Sequence, residues 1–245
     1  MFKKNVSIII PVKNEKKNIL NTIRSIKKNS RFSFKILICY DSDSDNTLRF
    51  LNNSNLKNKY FLCKNKSSGP HGAVISGIKF FKSNYYYILP ADDEINAKKL
   101  PFLINLMVNK NIDILCLCRL MKGGAMINAP FIKLNIMKLV NYFLYYICGL
   151  PSKDSTNGSR IFSHGVVSNI KINSRLGFSY SLEYLIKAYY KGYKIFDYPS
   201  IWKERNIGNS NFKLIKWSKD YCFLCLYAFY LNIKKIFIYG PDKSL

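Results

Sequence analysis

Between Val6 and Leu89, four short apolar runs alternate with segments whose apolar residues recur at helical spacing, and this alternation restricts the fold more than any other feature. Val6 to Pro11 (VSIIIP) reads as a buried strand stopped by proline. Phe34 to Tyr40 (FKILICY), Tyr60 to Cys63 and Tyr85 to Leu89 (YYYIL) read as the next three. Ile19, Leu20, Ile23 and Ile26 mark one intervening helix. Leu48 and Leu51 mark a second, capped by the loop from Asp41 to Asp45, and Val74, Ile78 and Phe81 a third, introduced by the turn Ser68-Gly69-Pro70-His71-Gly72. Strands and helices alternating at this pace form βαβ units, which need a parallel sheet and right-handed crossovers. Farther on, the pattern predicts a helix from Lys99 to about Asn109 and a strand from Ile112 to Cys118. An amphipathic segment from Phe131 to Cys148, a helix from Ser179 to Lys191, a strand from Lys194 to Ile201 and a terminal helix from Leu214 to Leu231 follow. The expected architecture is one α/β domain over residues 1–211, a mostly parallel central sheet flanked by helices, followed by an amphipathic helical extension over 212–245.

Of the 245 residues 48% are apolar and 15% aromatic, enough to bury a sizeable core, which excludes a wholly disordered chain. Lys and Arg number 39 against 14 Asp and Glu, a net charge of +25. Such a field attracts anions: nucleic acid, acidic lipid head groups or a phosphate-bearing substrate. A compositional bias toward Lys, Asn and Ile would also produce it. Seven scattered cysteines, with no secretory leader pattern at the start, point to reduced thiols in a cytosolic setting. Cys222 and Cys225 sit inside an apolar run and read as small hydrophobes. That run, Tyr221 to Leu231, is broken by Asn232, Lys234 and Lys235 before it reaches the roughly 20 residues of a membrane span, so an interfacial helix is expected rather than a spanning one. A core-packing helix with a solvated basic edge has the same pattern.

Polar clusters fall at the strand ends: Asn14 and Glu15 after the first, Asp41 and Asp43 after the second, Asp92-Asp93-Glu94 after the fourth. In an open parallel sheet ligands bind beyond the carboxyl ends of the strands, so the three clusters converge on one crevice. Adjacent carboxylates repel each other, and a magnesium or manganese ion bridging them to a diphosphate would remove that cost. Asp93 or Glu94 could equally complement a helix N-terminus. Loop cations near glycines suit phosphate oxygens: Arg119 and Lys122 before Gly123-Gly124, Arg160 after Gly158, Lys203 and Arg205 before Gly208. Each is also compatible with a plain surface charge. His71 reads as a turn residue and His164 as a helix start. No GxSxG elbow, phosphate-binding Walker loop or GxGxxG fingerprint occurs, which leaves serine hydrolases, P-loop enzymes and typical dinucleotide dehydrogenases without support.

With these residues in view, the chain resembles glycosyltransferase family 2, which has the GT-A (Rossmann-like) fold, near its dolichyl-phosphate mannose synthase-like branch. The motifs that carry the resemblance are VSIIIPVKNE, YDSDSDNT, GPHGAVISGI before YYYILPADDE, CRLMKGG, DSTNGSRIF, GFSYSLEYLIKAYYKGYKI and YPSIWKERNIGNSNFKL, from Val6 to about Trp217. The resemblance implies transfer of a sugar from a nucleotide-sugar donor, usually with inversion, to a lipid phosphate or glycan acceptor in envelope polysaccharide or glycolipid synthesis. It implies that Pro11, Asn14, Glu15 and Asp41 line the base and ribose pocket. Asp92 and Asp93 would stand at the diphosphate and its Mg2+ or Mn2+, with Glu94 as a further metal candidate. Arg119, Arg160 and Arg205 would meet donor or acceptor phosphate, Ser210 would join the donor site, and Glu183 would support the acceptor site. A hydroxyl acceptor needs a proton acceptor, and Asp154 is the candidate; a phosphate acceptor needs none. The sequence departs from the branch where Pro90-Ala91-Asp92-Asp93-Glu94 replaces the usual Asp-Ala-Asp, and where Tyr40 replaces the first acid of the usual pair. The expected location is cytoplasmic, peripheral on the cytoplasmic face of an anionic membrane, with no nucleic-acid partner. The rival readings are a non-catalytic basic protein that binds nucleic acid or a membrane surface, which the acidic clusters oppose, and a sugar-phosphate nucleotidyltransferase. The latter usually carries a glycine-rich loop after its first strand, and PVKNE has no glycine.

Overall fold

A computed structural model describes residues 4–16, 18–26, 32–56, 59–203 and 214–240. In chain order the first half holds β1 (Lys4–Pro11), α1 (Ile19–Ser25), β2 (Phe32–Tyr40), α2 (Asn46–Asn52), β3 (Phe61–Lys64), α3 (Gly69–Phe80), β4 (Tyr85–Ile88) and α4 (Glu94–Lys110). The second half holds β5 (Ile114–Cys118), β6 (Ala125–Ile127), α5 (Phe131–Tyr142) continued by a π-helical segment Phe143–Ile147, β7 (Arg160–Ser163), α6 (His164–Asn169), α7 (Ser179–Tyr189), β8 (Ile195–Pro199), β9 (Ile201–Lys203) and α8 (Leu214–Tyr239). Seven strands form one sheet in the order β3-β2-β1-β4-β7-β5-β8, and β6 pairs with β9 in a small second sheet. Strands β1 to β4 pair in parallel, β7 runs antiparallel to both β4 and β5, and β5 pairs in parallel with β8. The predicted mostly parallel α/β sheet is therefore the observed one.

Side chains of successive strand residues face opposite sides of a sheet. Accordingly Ile8 and Ile10 join one core with Leu100, Leu103, Ile104 and Met107 of α4, while Ile9 joins the other with Val74 of α3 and Leu182, Leu185 and Ile186 of α7. Gly77 lets α3 lie close on β1, since a Cβ there would fall 2.7 Å from the Ile9 side chain.

Four local expectations change. The turn at 68–72 is instead the first turn of α3, because Pro70 near the helix start has its fixed φ already in the helical range and lacks only an N–H that has no intrahelical partner there. The strand expected from Lys194 to Ile201 breaks at Ser200 into β8 and β9. Strand β7 was not expected, because its first residue is an arginine in a loop-like setting. Finally, α8 runs eight residues past Leu231: Lys235 lies over the Tyr189 ring at 5.2 Å with its ammonium 3.1 Å from the Tyr189 hydroxyl, and Asn232 donates to the Ile147 carbonyl at 2.9 Å. The polar residues that interrupt the apolar run anchor the helix. As a result, Lys219–Ile238 is long and apolar enough to cross a membrane by length and composition, and only 11% of its most apolar stretch is buried. The boundary expected between 211 and 212 lies outside the described residues.

Candidate active site

Because β1, β2 and β4 are parallel neighbours, their carboxyl ends share one edge of the sheet, where open α/β sheets bind ligands. Beyond Pro11 the chain turns through Asn14, whose φ of 59° lies in the left-handed region that asparagine tolerates. Its N–H donates to both oxygens of Asp45 at 3.1 and 3.2 Å, and Asp45 also caps α2 by accepting from the Thr47 N–H at 2.9 Å. Glu15 is buried, with its N–H on the Thr47 hydroxyl at 2.8 Å and its carboxylate accepting from Asn18 at 3.2 Å. At the neighbouring end of β2, Asp41 accepts from Asn65 at 2.7 Å and from the Gly69 N–H at 2.9 Å, which fixes a carboxylate at the start of α3. Pro11, Asn14, Glu15 and Asp41 thus stand at two adjacent strand ends, as expected. Asn65 and Gly69, which hold Asp41, are not among the site residues expected from the sequence, where Gly69 reads only as part of a turn before Pro70. Asp43 stays exposed in an ion pair with Lys64.

At the end of β4, Asp93 caps α4: it accepts from the Asn96 N–H at 3.0 Å and from the Asn96 side chain at 2.7 and 2.9 Å. The same Asn96 amide donates to the Ser200 hydroxyl at 2.9 Å, tying the acidic corner to the β8–β9 junction. Burial pushes the Asp93 carboxyl up to about 6; the bonds from Asn96 oppose this and the charge of Asp92 adds to it. Of the two readings of the cluster, the helix cap is realised: Asp93 caps α4 in a partly dry corner, with Asp92 beside it. The expected three-carboxylate metal set of Asp92, Asp93 and Glu94 is not. No group of three or more potential metal-ligating side chains converges among the described residues, because Asp93 turns back onto α4 and Glu94 opens the helix. A half-buried Asp92 beside Asp93 fits a cation that takes one or two protein carboxylates and completes its shell with diphosphate and water, the usual habit of magnesium.

The second half corrects several expectations. Arg119 directly follows β5 and grips Asp154 as a bidentate pair, with Nε to Oδ2 at 2.7 Å and Nη2 to Oδ1 at 2.8 Å, while its own N–H donates to Oδ2 at 2.9 Å. The Asp154 side chain is 0% exposed. With both oxygens taken and no solvent access, Asp154 is not placed to accept a proton from an acceptor hydroxyl, and Arg119 is committed to it rather than open to phosphate. Arg160, also 0% exposed, opens β7; its guanidinium donates to the carbonyls of Ser181 at 2.5 Å and Ser155 at 2.6 Å. A phosphate oxygen has no route to it. Glu183 is likewise buried and accepts from the Asn173 and Ser174 N–H groups at 2.9 and 2.7 Å, with Lys187 as ion-pair partner. Burial disfavours its charge, but these donors outweigh burial and hold its pKa below the ordinary value. It staples the 173–174 loop to α7. His71 is half-buried in the first turn of α3, 6.1 Å from the Tyr180 ring, and burial lowers its pKa. Arg205 and Ser210 lie outside the described residues.

The chain is similar in sequence and fold to known sugar-transfer enzymes. Over 216 residues the chain is 28% identical to the dolichol-phosphate mannosyltransferase of Pyrococcus furiosus, a match that covers 85% of this chain and 59% of that protein. It is 22% identical over 228 residues to the polyprenol monophosphomannose synthase of Mycolicibacterium smegmatis, covering 86% of this chain and 85% of that one. Among solved structures, glucosyl-3-phosphoglycerate synthase from Mycobacterium tuberculosis in complex with UDP superposes with a TM-score of 0.68 at 13% identity, covering 92% of this chain and 80% of the other. The same enzyme with Mn2+, UDP-glucose and phosphoglyceric acid gives a TM-score of 0.65 at 11% identity, covering 94% and 80%. The fold is therefore GT-A-like, and with residues 7–166 matching the sequence model described as glycosyl transferase family 2, well over half its length, the chain belongs to that family.

Proposed function

We propose that the chain moves a sugar from a nucleoside-diphosphate sugar to a polyprenyl phosphate, with inversion at the anomeric carbon. The observation that carries this reading is the set of three carboxylate-bearing turns at the ends of β1, β2 and β4 on one sheet edge, with family membership and lipid-phosphate relatives beside it. Glu15 and Asp41, held at those strand ends by amide and backbone donors, would accept bonds from base and ribose. Asp92 and Asp93 would hold a divalent cation, which would supply positive charge at the diphosphate. An oxygen of the acceptor phosphate adds to the anomeric carbon, and the bond from that carbon to the diphosphate breaks, its electron pair leaving with the nucleoside diphosphate. That acceptor oxygen is already anionic, so no strong base is required. The sealing of Asp154 by Arg119 favours a phosphate acceptor over a hydroxyl for this reason. Arg205 and Ser210 match family positions for donor or acceptor phosphate and belong to the same proposal. The domain lies over 1–211, and the 212–245 extension, with the exposed apolar surface of α8, rests at the cytoplasmic face of an anionic membrane.

Thermal unfolding with UDP or GDP, each with and without Mn2+, tests the donor half. A shift with one nucleotide that needs the metal and disappears in Asp92→Ala supports the reading and names the base; no shift with either nucleotide in folded protein overturns it.

A further inference from the structure

A cavity of about 230 Å3 opens between the end of α5 with its π-helical continuation and the loop before β7, lined by Leu120, Lys138, Tyr142, Tyr145 and Lys153 among others. Its walls are built by the buried contacts just described. Leu120 follows Arg119 and Lys153 precedes Asp154, so the bidentate pair draws the two sides together. Helix α5 is fastened to the same corner by the Arg119 guanidinium on the Met137 sulfur at 3.2 Å and by Asn141 on the Thr156 hydroxyl at 2.8 Å. The cavity stands on the ligand-binding edge of the sheet: β7 is antiparallel to both β4 and β5, so the carboxyl ends of β4 and β5, where Asp92 and Arg119 follow, point the same way.

The lining is cationic and aromatic, with no acidic side chain. Lys153 lies 5.7 Å from the Tyr145 ring centroid, and Lys138 of α5 lines the same cavity. The rim runs directly into an apolar stripe. Leu139 is 70% exposed, and Ile132, Ile136, Tyr142 and Tyr146 stand on the same outer surface of α5 and its continuation. The Phe143 and Phe229 rings, 6.1 Å apart, join this stripe to the exposed residues Phe223, Leu226 and Tyr230 of α8. A positively charged cup at the head of an apolar track suits an amphiphile with an anionic head, and open apolar area of this extent on a soluble-type fold marks an interaction site. Two ammonium groups in a lining that has no carboxylate match a phosphomonoester dianion.

We propose that this cavity holds the phosphate of the lipid acceptor, with Lys138 and Lys153 as its cationic partners and the outer face of α5 as the track of its hydrocarbon chain. The inference rests on the polyprenyl-phosphate reading above. It gives Arg119 and Asp154 a positioning role: they shape the cup without touching its occupant.

The test is calorimetric titration of the full chain with farnesyl phosphate, farnesol and inorganic phosphate, alongside turnover of a polyprenyl phosphate. Farnesyl phosphate binds, and the other two bind at least about tenfold more weakly, because each offers only half of the site. Lys138→Gln with Lys153→Gln weakens farnesyl phosphate at least about tenfold and raises KM for the lipid, while nucleotide binding, melting temperature and farnesol binding stay put. Lys66→Gln with Lys171→Gln, which removes two charges elsewhere, behaves as wild type. Unchanged lipid-phosphate binding and KM in the Lys138/Lys153 variant would overturn the cavity assignment and leave the acceptor reading standing. Inorganic phosphate binding as tightly as farnesyl phosphate would also overturn it, as a free-phosphate site. Wild-type enzyme that glycosylates only a hydroxyl acceptor would remove both.

Discussion

The two halves of the sheet use charged residues in opposite ways. In β1–β4 the carboxylates sit at strand ends, bonded to backbone N–H groups and short amides: Asp45 to Asn14 and Thr47, Asp41 to Gly69, Asp93 to Asn96. They are local turn and cap devices that leave negative charge at the crevice. In β5–β8 the charges are sealed: Arg119 against Asp154, Arg160 against the Ser155 and Ser181 carbonyls, Glu183 against Lys187 and the 173–174 backbone. The difference follows from the connections. The first half is stitched by short βα turns, whereas the second must hold the long 148–159 and 170–178 segments, which have little regular structure to satisfy their backbone groups. A buried guanidinium, with five donors in a fixed fork, can gather several carbonyls at once.

The largest expected effect breaks this contrast directly. Asp154→Ala leaves a buried guanidinium unpaired and lowers unfolding free energy by about 3–5 kcal/mol in urea titrations, and pairing it with Arg119→Met restores much of that. Were Asp154→Ala to leave stability untouched, the second half would not depend on its sealed charges. The next effect sits at the boundary between the halves. Asp93 titrates near 6 in the folded protein against an ordinary carboxylate value in the unfolded chain, so the folded state holds its proton longer and stability falls as pH rises from about 4 to about 6. Asp93→Asn removes that penalty, gaining about 1–2 kcal/mol at pH 7.5, net of a weakened bond to Asn96, with the gain shrinking toward pH 4; urea titrations at three pH values read it. Asp92→Ala has a smaller intrinsic effect, but it removes the ligand-dependent part, about 2.7 kcal/mol of stabilisation at a hundredfold excess of nucleotide and metal over Kd. Smallest of all is Asp43→Asn: this exposed partner of Lys64 leaves melting temperature unchanged, as solvent-exposed ion pairs do.

The nucleotide half was legible because its signals are local. A β-branched run ending in a polar turn marks both the strand and the site beyond it, and Asp45 caps α2 where the sequence places a cap. The second half was less so. Arg160 beside Gly158 looks like any loop arginine, and only the pairing of β7 between β4 and β5 puts it in the interior of the sheet. Asp154 read as an acid near the site, and nothing in its neighbours along the chain announces a partner 35 positions earlier. In α8 the lysines that interrupt the apolar run looked like a stop, yet Lys235 finds Tyr189.

By itself the sequence determined the strand–helix alternation, the parallel sheet, and the carboxylates at its carboxyl edge, because strand period, helix period and turn chemistry are set by residues close in the chain. The tertiary structure decided which charges face a ligand and which are consumed in holding the fold, and it gathered Lys138, Tyr145 and Lys153 around one cavity. Burial and ion pairing depend on residues brought together across the whole chain, and the same arginine is a phosphate clamp in an open loop and an internal brace once desolvated.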